Sequence, residues 1–285
     1  MPPPTTTHRH AVARASGALV ALLRLAVRLA HGLRAALGLV LILATGAMLA
    51  GTWAFAELAE QVREGTTQPF DDAVLRALDR LHAPWLETVM LEITSLGNGS
   101  VVVAMALVAG TFLWLTRHRY SAALLGAATV GATLLSLLLK SIFHRPRPPE
   151  VTWGTHVVTS SFPSGHATSA IVVYATIAYL VARLQRRRWA RVATLALAAV
   201  AILLVAASRL FLGVHYPTDV AAGLAVGLAW AAFCMAMLEA VQRFIRREAP
   251  REAANEAPPP GDDPVGDGRE DDASTPRPLS RAGRR

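Results

Sequence analysis

The stretch Ser208-Arg209-Leu-Phe-Leu-Gly-Val-His215-Tyr-Pro-Thr-Asp219 brings an arginine, a histidine and a carboxylate to the junction between two apolar runs. Pro217 suits the first turn of a new helix, where its missing N–H is no loss. Asp219 stands four residues after His215, so the two side chains can meet on one face. A carboxylate that fixes one ring nitrogen as a donor leaves the other as a basic lone pair, the state a nucleophile or general base needs. The plainer reading is a capping histidine with an aspartate that complements the helix dipole. These residues alone leave both readings open.

The elements that must position them are membrane spans. The chain has 285 residues, 53% of them hydrophobic and 17% charged, with a mean hydropathy of +0.38. That is too apolar for an ordinary soluble domain. Apolar runs of roughly 17–25 residues, the length that crosses a bilayer, fall near 35–57, 92–115, 120–140, 166–184, 191–209 and 217–240. The expected fold is therefore all-α, a polytopic six-span bundle. Leu86–Leu96 reads as a separate short helix or an outer extension of the second span, because Gly97-Asn98-Gly99 follows it. Phe70–Leu81 reads as an amphipathic surface helix, with Phe70, Val74, Leu78 and Leu81 on one face and its charges largely elsewhere.

Three regions follow: a basic N-terminal arm over 1–34, partly an amphipathic helix from Gly17 to Arg34; the span-bearing domain over 35–247; and a Pro/Gly/charge-rich tail over 248–285, expected to be disordered. Basic residues set the orientation. Sixteen lie in the N-terminal arm, the second-to-third and fourth-to-fifth loops and the segment after the last span, against seven in the alternate segments. The positive-inside rule then places both termini in the cytoplasm. The net charge of +8 follows this pattern, so nucleic acid is not an expected partner. The single cysteine, Cys234, allows no internal disulfide and reads as a small hydrophobe.

With that topology, Lys140 ends the third span, Arg147 lies in the following loop, Ser164-Gly165-His166 opens the fourth, Arg209 closes the fifth and His215 precedes the sixth. All fall on the outer face. Any one of these could be an anchoring side chain, but contributions from four spans at one depth ask for a common purpose. Lys140 offers a point charge, Arg147 and Arg209 planar forks of donors, and Ser164 with the Gly165 backbone further donors at a helix start, a set that suits a phosphate. His215, with Asp219 behind it, is placed to attack phosphorus. His166 is the better candidate to protonate the departing oxygen and then to take a proton from water. No metal or cofactor is expected, since the cations neutralise the phosphate and no carboxylate cluster faces outward at these span ends.

Lys140-Ser-Ile-Phe-His-Arg-Pro-Arg147-Pro148, Pro163-Ser164-Gly165-His166 and Ser208-Arg209-(five residues)-His215-(three residues)-Asp219 resemble the three signature motifs of the type 2 phosphatidic acid phosphatase superfamily. The likeness covers roughly residues 35–240. It implies a metal-independent, six-span lipid phosphatase whose site is shared with vanadium haloperoxidases. It also implies Lys140, Arg147, Ser164, Gly165 and Arg209 as phosphate ligands, His166 as general acid/base, His215 as nucleophile and Asp219 as its orienting partner.

The expected partner is a lipid phosphate within the bilayer: undecaprenyl diphosphate, phosphatidic acid or phosphatidylglycerol phosphate. The Ala/Arg-rich composition, of the kind encoded by GC-rich bacterial genomes, leans towards the isoprenoid. Two other outcomes are weighed. A phosphotransferase would pass the phosphoryl group from His215 to a lipid or sugar acceptor. A non-catalytic anion-binding membrane protein should carry polar residues through the midplane, whereas these spans are apolar there. Oligomeric state has no signature in the sequence. His144, Arg145 and His156, between the first two motifs, read as solvated loop residues.

Overall fold

The computed structural model describes residues 39–81, 83–149 and 159–256. The N-terminal arm, His156 and the chain beyond Glu256 lie outside the described residues. Eight helices are seen in that range: α1 (Leu39–Arg63), α2 (Gln68–Asp79), α3 (Pro84–Ser95), α4 (Gly99–Leu115), α5 (Arg119–Ile142), α6 (Gly165–Leu184), α7 (Arg188–Phe211) and α8 (Pro217–Glu256). Helices α1, α5, α6, α7 and α8 are each long and apolar enough to cross a membrane, while α3 and α4 form a pair bent by 47° that passes the same test together. The protein is an all-α, multi-pass membrane protein with five or six spans.

Two boundaries differ from the sequence reading. The first span runs to Arg63 rather than residue 57, because helix formers continue past Trp53 to a turn at Gly65, whose φ of 73° suits glycine. The separate short helix expected before Gly97-Asn98-Gly99 is seen as α3, with α4 bent by 47° from it. Asn98 caps α4 by accepting from the Ser100 N–H at 3.3 Å, so the chain restarts its helix there. The last helix continues to Glu256, past the expected tail boundary at 248, through a run rich in Ala, Arg and Glu.

Small residues let the spans approach closely, the main route to packing where lipid removes the hydrophobic drive between helices. Gly223 and Gly227 place α8 against α6: a Cβ at position 223 would lie 2.6 Å from the Ser164 carbonyl oxygen. Gly51 brings α1 onto Ala225 and Ala229 of α8 in the same way. One buried cluster joins α4, α5, α6 and α8 through Val102, Leu125, Val173 and Leu238. Another contains Cys234 among Ala128, Val172 and Ala231, so the thiol faces neighbouring helices. Large apolar side chains such as Leu107, Leu134 and Leu197 stay exposed, as lipid-facing positions of a span should. An aromatic trio of Phe55, Phe143 and Phe162 seats the loop before α6, with Phe143 and Phe162 centroids 5.0 Å apart.

Candidate active site

The C-terminal ends of α5 and α7 meet the N-terminal ends of α6 and α8, and the expected residues gather there. Lys140, at the end of α5, donates to the Ser160 carbonyl at 2.8 Å. Arg147 donates to the Val214 carbonyl at 2.8 Å and lies 3.4 Å from His215 Nε2. Arg209, at the end of α7, donates to Thr94 Oγ1 of α3 at 2.8 Å. Ser164 is the N-cap of α6, and its backbone N–H donates to the Asp219 carbonyl at 3.0 Å, which joins the second motif to the third. His166 lies within electrostatic reach of Arg209, His215, Lys140 and Arg147. All eight residues singled out from the sequence are therefore brought to one end of the bundle.

Two donors in this cluster are buried without a partner, Ser164 Oγ and Arg209 Nε. Buried polar atoms are rarely left so, and their surroundings are cationic. The same set of groups would satisfy an anion with several oxygens. Among the described residues no group of three His, Cys, Asp or Glu side chains converges as metal ligands would.

The tautomer of His215 follows from its neighbours. A guanidinium can only donate, so the Nε2 that faces Arg147 carries the lone pair. The proton is then on Nδ1, 3.3 Å from Ser161 Oγ. Ser161 donates in turn to Asp219 Oδ2 at 2.5 Å. His215 Nδ1 and Asp219 Oδ2 are 3.6 Å apart, longer than a hydrogen bond, so the expected pair is present but shared through a serine. Burial pushes the His215 imidazole down to about 4, with the charges of Arg147 and Arg209 acting the same way and Asp219 acting against them. The result is a buried neutral imidazole whose Nε2 lone pair faces Arg147 among cations.

Asp219 also fulfils its half of the plainer reading, although Tyr216 rather than His215 stands before the first residue of α8. It is the third residue of α8 and accepts the Tyr216 N–H at 2.9 Å, as a capping carboxylate reaching back to the N-cap does. Capping and histidine orientation are here one geometry.

Sequence reasoning missed four partners in the site, Arg145, Asp71, Ser161 and Thr94. Arg145, expected to be solvated, has a side chain only 9% exposed and pairs with both Asp219 and Asp71, each of them fully buried. The partners of Arg145 come from α2 and α8, more than seventy residues away on either side, so no local pattern marks it. Ser161 stands two residues before the second motif, and only its burial reveals its place. Thr94 is brought to Arg209 by the broken second span, a signal that Gly97-Asn98-Gly99 did carry. His144 is exposed, as expected.

An all-α membrane bundle with a histidine-bearing, cation-lined site at one end is suited to holding a phosphate group beside an imidazole. Comparison with known proteins agrees. The model of the PAP2 superfamily matches residues 121–243. Phosphatidylglycerophosphatase B of Bacillus subtilis is 34% identical over 175 residues, 61% of this chain and 86% of that protein. Decaprenylphosphoryl-5-phosphoribose phosphatase of Mycobacterium tuberculosis is 37% identical over 116 residues, covering 40% of this chain and 59% of its own. The crystal structure of a transmembrane PAP2-type phosphatidylglycerolphosphate phosphatase from Bacillus subtilis superposes with a TM-score of 0.64 at 30% identity, over 70% of this chain and 98% of that one. The chain belongs to the PAP2 superfamily and is a membrane lipid phosphatase of that type.

Proposed function

We propose that this enzyme hydrolyses a lipid phosphate or diphosphate at the outer leaflet through a phosphohistidine on His215. The observation that carries the reading is the His215 imidazole itself, whose lone pair lies on the side of Arg147 and whose Nδ1–H is turned to Ser161 and Asp219. Lys140, Arg147, Arg209, Ser164 and the Gly165 backbone hold the phosphate. Arg147 exchanges its contact with Nε2 for a phosphate oxygen when substrate arrives.

In the first step Nε2 attacks phosphorus, the P–N bond forms and the P–O bond to the lipid breaks. The departing oxygen takes a proton from the His166 imidazolium, a charge state that the bound phosphate anion favours. The equatorial oxygens of the transition state carry the charge, and preorganised cations stabilise it most there. In the second step His166 removes a proton from water, the hydroxide forms a P–O bond, the P–N bond breaks and inorganic phosphate leaves. No step is routed through a metal ion.

Orientation follows from the basic-residue distribution, with both termini cytoplasmic and the site on the outer face. A lipid anchored in that leaflet has its headgroup at the depth of the site. The relative that aligns over 86% of its length is named for phosphatidylglycerophosphate, and an undecaprenyl-diphosphatase of Bacillus subtilis aligns over 72% of its own at 29% identity. Phosphatidylglycerol phosphate is accordingly placed first and undecaprenyl diphosphate second. The test is phosphate release by detergent-purified protein in excess EDTA from both lipids and phosphatidic acid, beside His215→Ala. Release that survives EDTA and is lost in the variant supports the scheme; release that EDTA abolishes, or that the variant retains, contradicts it.

A further inference from the structure

The buried ion network around Arg145 reaches outside the family match, which begins at residue 121, into the surface helix α2. Arg145 uses its whole fork. Nη1 donates to Asp219 Oδ1 at 2.8 Å and to Thr218 Oγ1 at 2.7 Å, while Nη2 donates to Asp71 Oδ2 at 2.7 Å and to Gln68 Oε1 at 3.2 Å. Its guanidinium lies over the Tyr216 ring, 4.2 Å from the centroid. Asp71 also accepts from the Thr218 N–H at 3.0 Å and its hydroxyl at 2.7 Å, so it holds the first turn of α8 directly.

This arrangement fixes the plane of the Asp219 carboxylate. Oδ1 is tied to Arg145, while Oδ2 accepts from Ser161 and from the Tyr216 N–H and faces His215. Turning the carboxylate would break several charge-assisted hydrogen bonds at once. Arg145 itself is a buried cation, and Asp71 is the second anion that holds it; removing one partner of such a group leaves a charge uncompensated. Along α2, Asp71 is fully buried while its neighbour Phe70 is 59% exposed. The helix therefore turns an acidic residue into the protein and an aromatic one outwards, where a membrane protein meets lipid.

We propose that Asp71 is a positioning residue for phosphoryl transfer: acting through Arg145, it sets the Asp219 carboxylate that orients His215, and so makes the surface helix α2 part of the catalytic apparatus. The inference rests on the reading of His215 as nucleophile. It assigns to α2 a role in turnover rather than in holding phosphate, since none of its described contacts goes to Lys140, Arg147 or Arg209.

The experiment compares wild type with Asp71→Asn, Arg145→Lys, Arg145→Gln, Asp219→Asn and the double variant Asp71→Asn/Asp219→Asn, all as full-length protein in detergent. Turnover is measured on phosphatidylglycerol phosphate. Binding of orthovanadate, which takes a bond from an imidazole, and of inorganic phosphate, which needs only the cations, is measured by calorimetry. Asp71→Asn should lower kcat about 10- to 100-fold, as misplacement of a reacting group does, with KM within about twofold. It should weaken orthovanadate about tenfold or more while leaving inorganic phosphate within about twofold.

Arg145→Lys should retain more turnover than Arg145→Gln, because it keeps the charge without the fork. The double variant should be no slower than Asp219→Asn by more than about twofold, since groups acting in series are not additive. A rise in KM at unchanged kcat, an additive double variant, or equal weakening of both anions would overturn the proposal. If Asp71→Asn does not yield folded protein, the Arg145 pair and Thr218→Val, which loses only the hydroxyl, decide on the same readouts. Were wild type to release no phosphate from any lipid, the hydrolase reading would fail, while the vanadate-against-phosphate contrast would still decide this one.

Discussion

Ser161 Oγ joins His215 to Asp219, lying 3.3 Å from the imidazole Nδ1 and donating to the carboxylate at 2.5 Å. The histidine therefore has the neutral hydroxyl as its acceptor, with the charged carboxylate behind it at 3.6 Å. On the proposed mechanism, Ser161→Ala lets Asp219 accept the Nδ1–H hydrogen bond directly. We expect kcat to fall by about tenfold, with KM little changed, whereas Asp219→Asn should cost on the order of 100-fold or more by disturbing the tautomer itself. Equal losses in the two variants would argue against this order of roles. Steady-state kinetics on the detergent-purified proteins makes the comparison.

The pH dependence has a definite sign. On the proposed mechanism His215 attacks as the neutral base, and burial holds its proton affinity down to about 4. Activity should persist through mildly acidic pH and be lost as the pH falls through that region. Because Asp219 opposes the downward shift, Asp219→Asn should move the acid break in kcat/KM lower still. Stability follows the same group. The unfolded imidazole protonates below about 6.5 while the folded one resists, so protein stability falls between there and about 4. Profiles of kcat/KM and thermal unfolding against pH check the two limbs separately.

The turn between α3 and α4 lines the site. A Cβ on Gly97 would lie 2.5 Å from Val205 Cγ1 and 3.1 Å from His166 Cδ2. Gly97→Ala should therefore displace His166 and lower kcat by about tenfold or more, while Gly46→Ala, which meets nothing within 4 Å, should leave it unchanged. Turnover of the two variants, read beside their unfolding temperatures, separates displacement of the histidine from general destabilisation.

Close packing at Gly223 supports the second motif in a similar way. Gly223→Ala presses on the Ser164 carbonyl and the Thr168 hydroxyl, which itself donates to the Gly223 carbonyl at 3.1 Å. Overpacking of this kind costs about 1–3 kcal/mol. We expect a lower unfolding temperature together with weaker inhibition by inorganic phosphate, because Ser164 and Gly165 move with α6.

Much of the site was legible because its chemistry lies in short motifs at span ends. Lys140, Arg147, His166, Arg209 and His215 are ionisable residues bordering apolar runs, and apolar runs of span length force them to one depth. The helices were legible for the same reason, since length and hydropathy suffice to mark most spans. What could not be read depends on partners far apart in sequence. Arg145 looks like any arginine in a polar loop until α2 and α8 enclose it, and Asp71 looks like a solvated residue of an amphipathic helix until a guanidinium stands opposite. The break at Gly97-Asn98-Gly99 was visible as a composition, but its contact with His166 required the fold.

The claim on which the rest depends is a covalent intermediate at His215, and a phosphorylation trap tests it most directly. An aryl phosphate has a leaving group that needs no acid, so His166→Ala should still be phosphorylated by it but should lack the base for water attack. Quenched in alkali, digested and examined by mass spectrometry, that variant should carry one acid-labile phosphoryl group on His215. The His166→Ala/His215→Ala double variant should carry none. Wild-type turnover of the aryl phosphate, with no phosphoryl group on His215 of the trapped variant or with the label on another residue, would contradict the mechanism.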